Sequence, residues 1–512
     1  MNSIGTRRWW ALAALDLGVL AVGLDVTVLS VALPTLATSL KASESDLQWF
    51  SSAYALVLAA GMLPAGVLGD RFGRKRILLA ALVFFGAGSI VCAYATNPGE
   101  FIAGRVLLGA AGAAIVVMAL SVMTVLFSEE ERPRAVGIWA AANFLALPIG
   151  PIFGGWLLTN YWWGWIFLLN VPVALVGTLA VLGLVPESRA AQKPSLDPVG
   201  MVLVTAGLVG ITYGLIELGR NSWTDAPSLA VLAIGLLLAV AFFVWERRLA
   251  KRPGGRPLVD LALFESRGFT WGTILAALGG LALIGLVFTL PQYSQGVLGL
   301  DPEGAGVRLL PLIAGMVAGA VPADRVAQKA GGKATVAFGF AVTAAALLIG
   351  ATTAVDSGAW FVAGWMALLG FGMGVGFATA ASAALKTIPS EKSGVASALI
   401  QAVQKVGAPL GSAIFGSVLV TVYQSSLRLS GVPPAAAGAV KQSVFAGVAV
   451  AERLHSPTLL ESVRHSFVQG MDTALVLSAG IAALAAVAAL IFLPGRETIA
   501  TEMERQTADR VA

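Results

Sequence analysis

Residues 66–76 read GVLGDRFGRKR, a glycine-punctuated, charge-dense stretch set between two long apolar runs. Asp70, Arg71, Arg74, Lys75 and Arg76 do not belong in hydrocarbon, so both flanking runs end here and the stretch turns the chain at a membrane surface. Gly66 and Gly69 remove side chains where two helices must pack closely. Gly73 follows the Asp-Arg pair, and Asp70 sets a carboxylate near the start of the next helix, where negative charge is favourable. Arg74 and its neighbours can pair with that carboxylate or with lipid phosphates.

The rest of the chain agrees. Of 512 residues, 57% are hydrophobic and 12% charged, about half the charged fraction of a soluble domain. That leaves too little polar surface for a water-soluble fold of this size. The 59 glycines suit helices that approach closely in lipid. The formal net charge of +5 needs no nucleic acid to explain it, because basic residues collect in cytoplasmic loops. Cys92 is the single cysteine, so no intrachain disulfide forms. His455 and His465 fall in one polar loop without nearby cysteines, and no metal site is expected. The N-terminal MNSIGTRRWW opens too long an apolar run for a cleaved signal and reads as the start of the first membrane helix.

A span needs about 20 apolar residues. On that measure the spans fall near 10–33, 49–69, 77–95, 101–127, 135–159, 165–186, 198–217, 227–246, 269–291, 303–323, 334–354, 359–385, 395–424 and 473–494. Placing both termini and alternate loops on one side collects roughly 24 of the 33 Lys and Arg there, which makes that side cytoplasmic. The loop 425–472 is read as an external surface excursion with a short helix, and 257–269 as an interfacial helix. The tail 495–512 is polar.

An internal repeat organises the chain. SEEERPRAVG (128–137) and SEKSGVAS (390–397) each enter a span. Gly137 precedes Gly150 by the same separation as Gly394 precedes Gly407. The Asp70-Arg71 loop has an echo at Asp324-Arg325. The domains expected are therefore a six-helix bundle over 1–186, two additional helices and a basic linker over 187–256, a second six-helix bundle over 257–494, and the tail.

Charges inside spans point to function, since each costs roughly 2.5–3.5 kcal/mol at a bilayer centre and must face a cavity or a partner. Asp25 lies about 12 Å from its helix end at 1.5 Å per residue, and Arg105 sits at a similar depth in the fourth span. Asp16 shares the first span but stands nine residues away, half a turn round the helix. Glu217 ends the seventh span, where solvation is the simpler reading. Lys405 lies near the midplane of the thirteenth and should pair with Asp16, Asp25 or an anionic substrate.

These stretches resemble the major facilitator superfamily, in its fourteen-helix drug:proton antiporter branch. GVLGDRFGRKR resembles the loop between the second and third helices, which implies a cytoplasmic gate made by Gly66, Gly69, Asp70, Arg71, Gly73 and Arg74. LDVTVLSVALP (24–34) resembles the branch's first-helix motif, and GRVLLGAAGAA (104–114) the fourth-helix motif whose arginine is linked to proton transfer. NFLALPIGPIFGGW (143–156) resembles the antiporter signature of helix 5, here Gly150, Pro151, Gly154 and Gly155, with Ala146 where a glycine is usual. WWGWIFLLNVP (162–172) resembles the start of helix 6, with Gly164 in place of the family's arginine. GLIELGRNSW (214–223) is similar to the corresponding stretch of fourteen-helix relatives. In the thirteenth span Gln401, Gln404 and Lys405 replace the usual Asn…Arg-Gln.

The resemblance implies an all-α membrane transporter that couples proton entry at Asp25, modulated by Arg105, to efflux of amphipathic small molecules such as drugs, antibiotics or lipophilic cations. The proton gradient is then the energy source, with no cofactor, and protons, lipid and the small molecule are the partners of a monomer in the cell membrane. The alternative is a dedicated exporter of an endogenous metabolite or anionic natural product on the same fold. No enzyme is expected: the histidines and Cys92 supply no nucleophile–base or metal set within a span.

Overall fold

The computed structural model describes residues 2–127, 131, 135, 149–189, 197–252, 257–259, 261–386 and 393–494. The stretch 136–148, with Gly137 and Ala146, and the tail 495–512 lie outside them. Every regular element among the described residues is helical. In lipid, a helix satisfies its backbone groups within one segment.

We label the helices α1 (Asn2–Ser39), α2 (Glu44–Phe72), α3 (Arg74–Ala93), α4 (Pro98–Leu126) and α5 (149–160). There follow α6 (Trp165–Leu184), α7 (Pro198–Arg220), α8 (Ala226–Ala250) and α9 (Arg267–Val297). The remainder are α10 (Leu310–Ala330), α11 (Gly332–Gly350), α12 (Ala359–Lys386), α13 (Ser393–Ser426), α14 (Pro434–Gln442), α15 (Val444–Arg453) and α16 (Pro457–Phe492). Eleven helices among the described residues are long and apolar enough to cross a membrane, or twelve when α2, bent by 49° at Pro64, counts as one span. Two expected spans stand outside that count: the fifth, described only from residue 149, and the thirteenth, the 34-residue α13.

Two compact units emerge. The first comprises Met1–Leu258 with Leu290–Val307 and Leu429–Leu460; the second comprises Val259–Thr289, Arg308–Arg428 and Glu461–Ala512. In the first, α4 packs on α2 through Gly109, whose Cβ would stand 2.6 Å from the Tyr54 carbonyl oxygen. Small residues let helices approach where lipid offers no hydrophobic drive to associate. The pair α7–α8 meshes in the same way at Gly210 and Gly235. It stands beside α2, where Trp49 meets Tyr213 at a ring distance of 6.0 Å.

The second unit repeats the packing. Gly150 and Gly154 of α5 abut Thr27 and Val28 of α1, while Gly407 and Gly411 of α13 abut Ala277 and Leu281 of α9. The hinge repeats too. Gly73 (φ 116°) separates α2 from α3, and Gly331 (φ 91°) separates α10 from α11, both in a region that L side chains rarely adopt. Gly73 follows Asp70 by three residues and Gly331 follows Asp324 by seven, so α10 runs about one helical turn further.

Three local expectations change. The stretch 257–269 forms a 3₁₀ turn, Leu261–Glu265, in place of a helix, and α9 begins at Arg267, with Val259, Leu263 and Phe269 buried. The loop 425–472 holds two short helices and the first turns of α16. Val444, Gly447 and Ala451 of α15 are buried, and Val444 closes on Gly296 at the end of α9. An amphipathic helix with an apolar face buries it, so this segment is packed structure. His465 lies on α16, 3.8 Å from Glu461, rather than in a loop.

Candidate functional site

Two helix starts set the site. Ser43 and Asp46 form a reciprocal capping box that begins α2, and Asn97 accepts the Glu100 N–H at 3.0 Å with Pro98 at the first turn of α4. Such caps satisfy backbone donors that the first turn leaves open. Seven residues past Pro98, Arg105 points into the first unit with 1% of its surface exposed.

Its guanidinium is held from three sides. Nη1 donates to Asp25 Oδ2 at 2.5 Å, Nε donates to the Phe50 carbonyl at 3.0 Å, and the Tyr54 ring lies 4.3 Å from Cζ. The Tyr54 hydroxyl donates in turn to the Val22 carbonyl at 3.3 Å. Arg105 thus joins α1, α2 and α4. The Asp25 and Arg105 side chains are each 1% exposed, and a pair so desolvated persists only with good geometry and further partners. On the side away from the guanidinium, the Asn170 amide stands beside the Asp25 carboxyl.

Asp25 also borders a cavity of about 240 Å3 between α1, α5 and α6. Leu17, Ala21, Leu24 and Val28 of α1 recur at helical spacing along one wall, and Asn170 of α6 supplies the other polar group.

The Asp70 loop has a different construction. Asp70 Oδ1 accepts Arg74 Nε at 3.0 Å and Nη2 at 2.8 Å, and Arg74 Nη1 reaches the Ser121 carbonyl at 3.3 Å. Gly69 packs directly on Met118 of α4, and a Cβ on Gly66 would touch Val117 at 3.5 Å. Glu187, beyond α6, accepts the Lys75 N–H at 3.2 Å and stands 3.5 Å from Arg76. The Ser188 carbonyl accepts the Arg74 N–H at 2.9 Å. Arg71 lies with its Cζ 5.8 Å from the Phe72 ring. At the start of α1, Arg8 meets Glu131 through Nη1 and Nη2, each at 2.6 Å.

The helix 5 glycines are contact points. Gly154 lies against Val28, where a Cβ would stand 2.7 Å from Cγ1. Gly155 lies 2.6 Å, on the same measure, from the Pro302 carbonyl oxygen. The Pro151 carbonyl abuts Gly306.

Among the described residues, neither Asp16 nor Glu217 pairs with Arg105. Asp16 is buried, with no partner for Oδ1 among the described residues. Glu217 pairs along its own helix end, with Arg220 at 3.5 Å and Asn221 at 3.4 Å. Lys405 lies on α13 in the second unit, and its side chain is outside the description. Sequence reasoning missed Tyr54, the Phe50 carbonyl, Asn170 and Glu187. It also missed Glu44, which opens α2 buried beside Gln292. Only Asn170 carried a signal, as the polar residue of an otherwise apolar stretch.

Helices of membrane-spanning length in two compact units, with a buried acid–base pair on the first and fourth, define a class: integral membrane proteins with the architecture of secondary transporters. The Major Facilitator Superfamily pattern matches residues 15–412, and the chain belongs to that family, as a multi-pass bacterial membrane protein. It is 33% identical to the tetracenomycin C resistance and export protein of Streptomyces glaucescens, over 94% of this chain and 91% of that protein. It is 32% identical to the multidrug efflux pump LfrA of Mycolicibacterium smegmatis, over 95% and 97%. The methyl viologen resistance protein SmvA of Salmonella typhimurium is also 32% identical, over 94% and 97%. Among solved structures, a bacterial homolog to the human lysosomal transporter Spinster superposes with a TM-score of 0.67 at 16% identity, over 96% of this chain and 99% of that one. A D-xylose–proton symporter gives 0.60 at 15%, over 95% and 98%. The last two speak to the fold alone.

Proposed function

We propose that this protein exports amphipathic small molecules, drugs and antibiotics among them, in exchange for protons. The observation that carries the reading is the buried Asp25–Arg105 pair. An arginine in a protein keeps its proton, so the carboxylate is the member that changes charge. Protonation of Asp25 removes the attraction that holds Arg105, and the guanidinium then keeps only the Phe50 carbonyl and the Tyr54 ring. The three helices it joins are freed to shift. The proton gradient supplies the energy, and no cofactor enters the cycle. The three curated relatives above, named for efflux or resistance over nearly the whole chain, support the substrate class.

The Asp70–Arg74 loop is the gate on the cytoplasmic side in this reading, with both termini on that side and a single chain as the working unit. Its partly exposed ion pair suits a contact broken every cycle, since such pairs contribute only about 0–1 kcal/mol. The packed glycines of α5 form a seal against proton leak. In inverted vesicles energised by a proton gradient, Asp25→Asn is expected to abolish uptake of ethidium while the protein remains inserted and folded. Uptake at the wild-type rate removes Asp25 from the mechanism.

A further inference from the structure

The helix pair α7–α8 ends in a patch of positive charge. Arg247, Arg248, Lys251 and Arg252 are all exposed at the end of α8. Among the described residues, none of the four forms an ion pair with a carboxylate. Arg247 and Lys251 stand one turn apart, as do Arg248 and Arg252, and like charges at that spacing repel. The open carbonyls of a helix end attract cations, but a terminus equivalent to about half a negative charge cannot balance four. The patch is also built in place. Trp245 donates its Nε1–H to both oxygens of Asp197 at 3.0 Å, and Asp197 caps α7 by accepting the Gly200 N–H at 3.0 Å. The indole so fixed carries Arg252, whose Cζ lies 5.6 Å from the ring, within cation–π range. A buried carboxylate at the start of α7 thus sets the position of an exposed arginine at the end of α8.

Of the membrane-length helices among the described residues, α8 is the one least covered by protein. Leu237, Val240 and Val244 are exposed. With Arg247 and Lys251 they recur at intervals of three and four residues, so one stripe of the helix runs from apolar to basic. At 1.5 Å per residue the stretch 226–244 is about 28 Å long, close to a hydrocarbon core of about 30 Å. Trp245 then falls at the membrane interface, where its ring is favoured, with Arg247 and Lys251 at the level of the lipid phosphates. A soluble anion or an acidic protein segment would meet the charge and leave the stripe bare. A phospholipid covers both, and clusters of four or more Lys and Arg just outside a span attract acidic lipids.

We propose that the end of α8 is a binding site for an anionic phospholipid, with its phosphate on Arg247, Arg248, Lys251 and Arg252 and its acyl chains along Leu237, Val240 and Val244. Trp245 is a positioning residue that holds Arg252. The site lies wholly within the first unit, and its occupancy needs no transport step. An anionic headgroup there relieves the repulsion among the cations and fixes the end of the helix pair at the membrane surface.

The test is lipid binding to the purified, full-length protein in detergent, read by native mass spectrometry. Phosphatidylglycerol and phosphatidylcholine with the same acyl chains are supplied at equal concentration. Wild-type protein is expected to bind its first phosphatidylglycerol about 10-fold tighter than phosphatidylcholine. Arg247→Gln/Lys251→Gln should remove most of that preference. Trp245→Leu, which removes no charge, should lower it about 3-fold through the loss of the cation–π contact. Arg325→Gln/Lys329→Gln takes the same charge from an exposed stretch of α10 and should leave the preference unchanged. Glycerol phosphate, a phosphate ester without chains, should not displace the lipid at equal concentration. Equal binding of the two lipids by the wild type overturns the proposal. So does a preference that the α10 variant reduces as much as Arg247→Gln/Lys251→Gln, because any basic surface would then serve. Displacement by glycerol phosphate overturns it as well, by assigning the patch to soluble phosphate esters. A folded Trp245→Leu variant with the full preference overturns the positioning role. The wild-type comparison and the exposed Arg247→Gln/Lys251→Gln variant decide the site even where Trp245→Leu fails to fold.

Discussion

Truncating Arg105 to leucine removes every bond the guanidinium makes and leaves Asp25 alone in a site 1% exposed. Breaking a buried pair by removing one partner costs about 3–5 kcal/mol. Within that figure, the contact with the Tyr54 ring at 4.3 Å accounts for about 2 kcal/mol of a desolvated cation–π interaction. Asp25→Leu strands the arginine instead and should cost a similar amount, softened by the Phe50 carbonyl that still accepts from Nε. The double variant Asp25→Leu/Arg105→Leu leaves no buried charge, and replacing a buried pair by apolar residues of similar volume is often neutral or stabilising. The cycle is therefore predicted to be far from additive: two losses of about 3–5 kcal/mol that collapse to about 1 kcal/mol in the double variant give a coupling of about 5–9 kcal/mol. At about 2–4 °C per kcal/mol, each single variant should lower the unfolding midpoint by about 6–20 °C, and the double variant should return most of it. Thermal unfolding of the purified proteins, followed by tryptophan fluorescence in one detergent, measures all four corners. Losses that simply add would refute the reasoning, because two side chains that do not share a bond have nothing to recover.

Four further outcomes are expected. Tyr54→Phe keeps the ring under Arg105 and loses only the hydroxyl bond to Val22, so a stability loss of about 0.5–1.5 kcal/mol should appear in the same melts. Gly154→Val forces side-chain atoms into Val28 and should destabilise by about 1–3 kcal/mol, read as reduced yield and an earlier melt. Gly73→Ala and Gly331→Ala separate two costs: both pay for a positive φ, about 1–2 kcal/mol, but only at Gly73 would the new Cβ also meet Glu187, 2.6 Å from Oε1. Gly73→Ala should therefore melt lower, and Glu187→Gly in that background should close the gap in part. Asp70→Asn touches a pair whose aspartate side chain is 36% exposed, so stability should change by less than about 1 kcal/mol; a larger drop would show that the loop carries fold stability.

Much of the architecture was legible because its causes are local. Twenty apolar residues in a row must be a helix in lipid, whatever surrounds them. The offset shared by Gly150 and Gly407 announced that two halves were built alike, and the packing of α5 on α1 and of α13 on α9 follows from it. The short helices after α13 and the 3₁₀ turn before α9 were harder, since a brief apolar run reads the same whether it covers a surface or fills a gap.

The site divides along the same line. Asp25 and Arg105 stood out in the sequence because a charge among apolar residues is costly wherever the chain folds, and the cost itself demands a partner at matching depth. Their pairing, 80 residues apart in the chain, was within reach of that argument. Tyr54, the Phe50 carbonyl and Asn170 were not. An aromatic ring, a backbone oxygen and one amide carry no cost that marks them in a sequence, and they matter only because helices 1, 2, 4 and 6 bring them to one carboxylate. Composition and spacing determined the membrane, the repeat and the charged pair. Which oxygen of Asp25 takes the guanidinium and which side chains close round the carboxyl were decided by tertiary packing alone, since these depend on directions in space that no linear pattern records.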